Sequence, residues 1–103
     1  MVFDICNEDD IFPPYFAIQS LNSREKLGKF LAVYSGKYIY VKDKANREDC
    51  FGGIISAHPS DKNKFCLTPS PEYHSASEDE RLTFSLDNLE AVFVKELIPE
   101  AFK

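Results

Sequence analysis

The stretch Leu27-Gly28-Lys29-Phe30-Leu31-Ala32-Val33-Tyr34-Ser35-Gly36-Lys37-Tyr38-Ile39-Tyr40-Val41 admits two readings, and the choice between them sets the architecture. In one, Leu27, Phe30, Leu31 and Tyr34 fall at i, i+3, i+4 and i+7, the stripe of an amphipathic helix. Asn22-Ser23-Arg24-Glu25 would open that helix as a capping box, with Asn22 or Ser23 as the cap, and Gly36 would close it. Gly28 weighs against this, because an interior glycine costs about 1 kcal/mol relative to alanine. In the other reading Lys29–Tyr34 is a strand, Ser35-Gly36 a two-residue turn and Tyr38–Val41 the returning strand. The segment Tyr38-Ile39-Tyr40-Val41, β-branched and aromatic throughout, is a strand either way. The hairpin is the preferred reading, with one short helix in 15–34 as its alternative.

Downstream the pattern has period two. Cys50–Ala57 reads as a strand with a bend or bulge at Gly52-Gly53, and Lys64–Thr68 as its partner across the turn His58–Asn63. Arg81–Leu86 alternates, with Leu82, Phe84 and Leu86 on one face. A tight turn or single 3-10 turn at Asp87-Asn88-Leu89 leads to a last strand, with Val92 and Val94 on one face and Ala91, Phe93 and Lys95 on the other. Pro69 to Glu80 is a long polar loop. The expected core is Phe30, Val33, Ile39, Val41, Ile54, Phe65, Leu67, Leu82, Phe84, Leu86, Leu89, Val92 and Val94. The fold class is mainly β: a small SH3-like barrel or a strongly bent antiparallel sheet of five or six strands. Residues 1–14 form an acidic N-terminal arm, ended by Pro13-Pro14, and residues 15–103 one β-rich domain.

The closing piece Ser85–Lys95, with the Gly-Gly strand, the turn at 59–63 and Phe65-Cys66-Leu67-Thr68-Pro69 before it, resembles the small SH3-like or Sm-like barrel domains of bacterial proteins. These include a little-characterised type found beside PilZ domains. The resemblance covers residues 51–97 and concerns hydrophobic pattern. It implies a fold and transfers no residue role. The Arg-rich and Asp-x-Ser-x-x-Gly motifs with which PilZ domains hold a cyclic dinucleotide are not in the sequence.

At 103 residues the chain makes one domain, 44% hydrophobic and 14% aromatic, with a net charge of −5. No apolar run is long enough to span a membrane as a helix. The N-terminus has no basic region of the signal-peptide kind, so a cytoplasmic protein is expected. Charge is blocked: residues 1–14 carry four acids and no base, 15–64 nine bases and five acids, 65–103 three bases and eight acids. An acidic chain is a poor general ligand for nucleic acid, because phosphate contacts dominate that affinity. It suits a protein partner, a basic one if the acids steer it.

The expected function is therefore a small non-catalytic protein-binding module: an adaptor, inhibitor or immunity-type protein. Glu78, Asp79 and Glu80 would form its acidic patch, seconded by Glu8, Asp9 and Asp10, and Tyr38 and Tyr40 would be exposed anchors. The first alternative is a nucleic-acid-binding barrel that uses Lys37–Lys42 with Lys44 and Arg47. The second is a small hydrolase-like enzyme drawing on Cys50, Cys66, His58, His74, Asp61 and Asp79, which sit in no recognised local signature. Cys50, His58, Cys66 and His74 are residue types that bind zinc, but their even eight-residue spacing lacks the close ligand pairs of structural sites. Neither a metal nor a cofactor is expected. The odd count of three cysteines points to reduced thiols.

Overall fold

A computed structural model describes residues 4–12, 14–19, 21–45, 49–68 and 81–97. Among these residues the chain forms one antiparallel sheet of seven strands and one α-helix. The strands are β1 (Asp4–Cys6), β2 (Phe16–Ile18), β3 (Tyr38–Asp43), β4 (Cys50–Ala57), β5 (Lys64–Thr68), β6 (Leu82–Ser85) and β7 (Leu89–Val94). Their order is β2-β7-β3-β4-β5-β6. The short β1 pairs with β4 at residues 50–52, beside the stretch of β4, 54–57, that pairs with β5. The sheet is therefore open, with β2 and β6 at its ends, and the closed barrel is not formed.

The largest departure from expectation is at Lys29–Tyr34, which is not a strand. Arg24–Tyr34 is helix α1, so the hairpin reading fails and the helical stripe prevails. Burial decides it: Leu27, Phe30 and Tyr34 are 0–1% exposed. Each such burial is worth about 1.5–3 kcal/mol, more than the glycine cost at Gly28. Ser23 is the N-cap, its hydroxyl accepting from the Lys26 amide at 3.2 Å. Gly36 follows the C-cap with φ of +84°, a left-handed conformation that glycine adopts without strain. The helix end is stitched to β4 by Gly36 N–H donating to the Ile55 carbonyl at 2.8 Å, and Ile55 N–H to that of Lys37 at 3.1 Å.

The bulge expected at Gly52-Gly53 is also absent. Strand β4 pairs with β3 without interruption from Tyr38↔Ile54 to Lys42↔Cys50, and the register slips instead between Lys42 and Asp43 against β7. The glycines serve close approach. A Cβ on Gly52 would lie 2.7 Å from Tyr38 Oη and from Tyr40 Cε1, and one on Gly53 would lie 2.6 Å from the Thr68 carbonyl oxygen. The same register corrects one core residue: Ile54 is paired with Tyr38, half-buried on the far face, and Ile55 is the buried one.

The pleat sorts the sheet into two faces. Ile39, Val41, Ile55, Phe65, Leu67, Phe84, Val92 and Val94 meet α1 in the main core, with Val33, Leu82, Leu86 and Leu89 partly buried at its margin. The opposite face carries a smaller cluster of Cys50, Ala91 and Phe93. It is covered by Cys6, Ile11 and Tyr15 from the N-terminal segment and by Tyr40. A one-turn 3-10 helix at Leu86–Asn88 joins β6 to β7, as the sequence suggests. No described helix is long and apolar enough to cross a membrane.

Candidate functional site

The solvent-facing flank of α1 and the β4–β5 turn enclose a cleft of about 520 Å³. Arg24, Gly28 and Leu31 line the helix side, spaced so that they share one flank. Ala57, His58, Asp61, Lys62 and Lys64 line the other. The turn is held by its own side chains. His58 Nδ1 accepts from the Ser60 amide at 3.1 Å and the Asp61 amide at 2.9 Å, and Asp61 Oδ1 accepts from the Asn63 amide at 2.9 Å. The Asn63 carbonyl in turn accepts from the Leu86 amide at 2.8 Å, anchoring the turn to the end of β6.

The cleft is electropositive at its rim. Each acid on it has a lysine beside it: Glu25 lies 3.8 Å from Lys29 and Asp61 3.8 Å from Lys64. Arg24 and Lys62 add positive charge to that balance, as does the N-terminal end of the α1 dipole. The floor is apolar or bare. At Gly28 a Cβ would meet no atom among the described residues within 4 Å. The glycine thus weakens the helix without relieving any contact among the described residues.

The residues singled out in the sequence lie elsewhere. Tyr38 and Tyr40 are half-buried and neighbours, their rings edge-on at 5.7 Å. Tyr40 also meets Tyr15 edge-on at 5.3 Å, so it is packed under the N-terminal segment rather than presented as an anchor. Lys42 is ion-paired with Glu8 at 2.6 Å, and this hydrogen bond holds the ammonium above its ordinary pKa. Lys37 lies 4.0 Å from Glu96 and over the Tyr34 ring. Asp9 and Asp10 are exposed on a 3-10 turn. Glu78, Asp79, Glu80, Arg47 and His74 lie outside the described residues.

The thiols of Cys50 and Cys66 do not converge. Cys50 faces Lys42 on β3, whereas Cys66 faces Ser56, six positions along β4 and about 20 Å away. Cys50 and Cys66 thus cannot share a metal, and no group of three metal-ligating side chains occurs among the described residues. Cys50 is buried, and desolvation pushes its thiol up to about 11. Cys66 is buried beside Thr83, Sγ to Oγ1 3.8 Å, near His58 in a smaller cleft of about 160 Å³. Because His58 Nδ1 accepts two amide protons, the neutral ring carries its own proton on Nε2. It therefore has no acceptor there with which to activate a thiol.

No protein-family model matches the chain, and no curated protein or solved structure matches it. The functional reading rests on the cleft alone. Gly28 and Lys62 were missed as site residues, and His58 and Asp61 were singled out only for catalysis, because the cleft exists only once 24–34 is helical. The available signal was Arg24, Gly28 and Leu31 at i, i+4 and i+7, a stripe running beside the buried one of Leu27, Phe30 and Tyr34.

Proposed function

We propose that this protein is a non-catalytic protein-binding module that receives an acidic segment of another protein in the cleft between α1 and the β4–β5 turn. The observation that carries the reading is Gly28. A helix-interior glycine whose added Cβ would meet no atom, lining a cleft of about 520 Å³, has no packing reason among the described residues. It has one if a foreign backbone or side chain lies against the helix there. Arg24, Lys62 and Lys64 give the occupant its polarity, since carboxylates are matched by cations placed at a rim. Leu31 and Ala57 offer a small apolar contact between the charges. The net charge of −5 opposes approach of an acidic partner at long range, but at physiological salt such repulsion is screened beyond about 8 Å. Binding is then decided locally.

The test is a titration of isotopically labelled protein, followed by amide chemical shifts. The probes are a synthetic peptide alternating Asp or Glu with Leu or Ala, a Lys-substituted counterpart, and a single-stranded oligonucleotide. The acidic peptide should shift Arg24–Leu31 and Ala57–Lys64. Lys62→Glu with Lys64→Glu should abolish this, and so should Gly28→Gln, a filled floor on an intact helix. Gly28→Ala should stabilise the chain by about 1 kcal/mol while weakening the peptide. Shifts caused by the Lys peptide alone would favour a basic partner on the acidic segments and overturn the reading. Shifts caused by the oligonucleotide along Lys37–Lys44 would overturn it in favour of nucleic acid.

A further inference from the structure

Strand β1 reaches β4 with Cys6 directly opposite Cys50. Directly opposed residues of an antiparallel pair have Cα atoms about 4.5–5.5 Å apart, inside the 4.4–6.8 Å that a disulfide spans. Both side chains lie on the face away from α1, in the cluster that the N-terminal segment covers. The third thiol, Cys66, is out of reach at about 20 Å along β4. We propose that Cys6 and Cys50 form a reversible oxidative cross-link that latches the N-terminal segment to the sheet.

The pair is asymmetric in the way a sensor and a resolving thiol are. Cys6 is partly exposed and on the segment that lies outermost, so it meets the oxidant first. Cys50 is enclosed, and its thiol keeps its proton at neutral pH. With a peroxide as oxidant, the Cys6 sulfur attacks one peroxide oxygen. An S–O bond forms, the O–O bond breaks, and one water leaves. The Cys50 sulfur then attacks the Cys6 sulfenic sulfur. An S–S bond forms, the S–O bond breaks, and the hydroxyl departs as a second water with the Cys50 proton. Two thiols have lost two hydrogens and two electrons to the peroxide.

The cross-link has consequences because β1 is so lightly held. It has three residues, and the Glu8–Lys42 ion pair is the fastening beyond it that carries charge. The disulfide would close a loop of about 44 residues and fix the cover over Tyr40 and Phe93. Cross-strand bridges between directly opposed residues are strained, so a small dithiol should reopen this one.

The experiment treats the full chain with stoichiometric hydrogen peroxide, then maps unreduced peptides by mass spectrometry and follows amide exchange. The expected result is a loss of about 2 Da, a peptide joining Cys6 to Cys50, slowed exchange at Asp4–Ile11, and a melting temperature raised by about 10 °C or more. Dithiothreitol should reverse all four. Cys66→Ser should behave as wild type and Cys6→Ser should form no link. The mapped wild-type peptide stands even if a Cys50 variant fails to fold. A link to Cys66, a dimer through Cys6, sulfinic acid on Cys6, or the same link at the same rate in urea-unfolded chain would each overturn the proposal.

Discussion

The two faces of the sheet are made from alternate residues of the same strands, yet they are built to different standards. The face under α1 takes Ile39, Val41, Ile55, Phe65, Leu67, Phe84, Val92 and Val94, and it meets Leu27, Phe30 and Tyr34 in a core with no buried polar or charged residue among those described. The face beneath the N-terminal segment takes Tyr38, Tyr40, Lys42, Cys50, Ala91 and Phe93, and of these Cys50, Ala91 and Phe93 are buried, Cys50 alone without exposure. Its cover is a three-residue strand, a 3-10 turn and the side chains of Ile11 and Tyr15. An apolar helix laid across a sheet stays, because lifting it exposes large side chains. A thin strap over tyrosine, thiol and lysine can lift at a cost well below global unfolding. One face thus holds the fold, and the other can change state while the fold persists.

The largest effect should come from damage to the helix-covered face. Phe30 has no exposure and is in ring contact with Tyr34 at 4.7 Å. Phe30→Ala should cost about 3–5 kcal/mol in urea unfolding, a large share of the 5–15 kcal/mol that holds a typical domain. A loss under about 1 kcal/mol would mean that α1 is not the keystone of the fold, and the contrast between the faces would fall.

The next effect belongs to the other face and appears only in alkali. Burial, with the neighbouring Cys6 second, pushes Cys50 up from 9.0 to about 11. A raised acid pKa means that the folded state holds the proton more tightly than the unfolded chain. The stability contributed is therefore whole below pH 9, declines as the unfolded thiol ionises, and is lost through about pH 11. Urea midpoints at pH 8, 9.5 and 10.5 should fall more steeply for wild type than for Cys50→Ala. The difference between the two isolates the thiol from the lysines and tyrosines that titrate alongside it. Parallel slopes would show that Cys50 is wet, and the strap looser than drawn.

This contrast also explains what could be read in the sequence. Strands β4 and β5 were legible to the residue, because period two and the turn at 58–63 act locally. So were the two faces of β7. The helix was misread because Phe30–Tyr34 satisfies both periodicities, and only the sheet waiting to receive Leu27 and Phe30 decides between them. Ile54 and Ile55 are adjacent identical residues, and their assignment needs the parity set by Tyr40↔Gly52. Tyr38 and Tyr40 looked exposed because nothing local tells that a strand from residues 4–6 returns beside β4. The cleft was hidden for the same reason: its walls are more than 25 residues apart in the chain. Strand pairing and packing between distant segments are not written in any short window.

The smallest effect is the most discriminating. Lys42 and Glu8 join the strap to β3 at 2.6 Å, with Glu8 about half exposed. Ion pairs at the surface contribute little to global stability, because water competes for both charges and salt screens them. Lys42→Met keeps the aliphatic stem over the sheet and removes only the charge, so the urea midpoint should barely move. The amides of Glu8–Ile11 should nevertheless exchange faster, and raised salt should reproduce that change in the wild type. If the midpoint dropped as far as it does in Phe30→Ala, the strap would be part of the cooperative fold and the faces would be alike. If neither midpoint nor exchange changed, β1 and the packing of Ile11 and Tyr15 would hold the strap unaided. The ion pair would then be a consequence of docking and not its fastening.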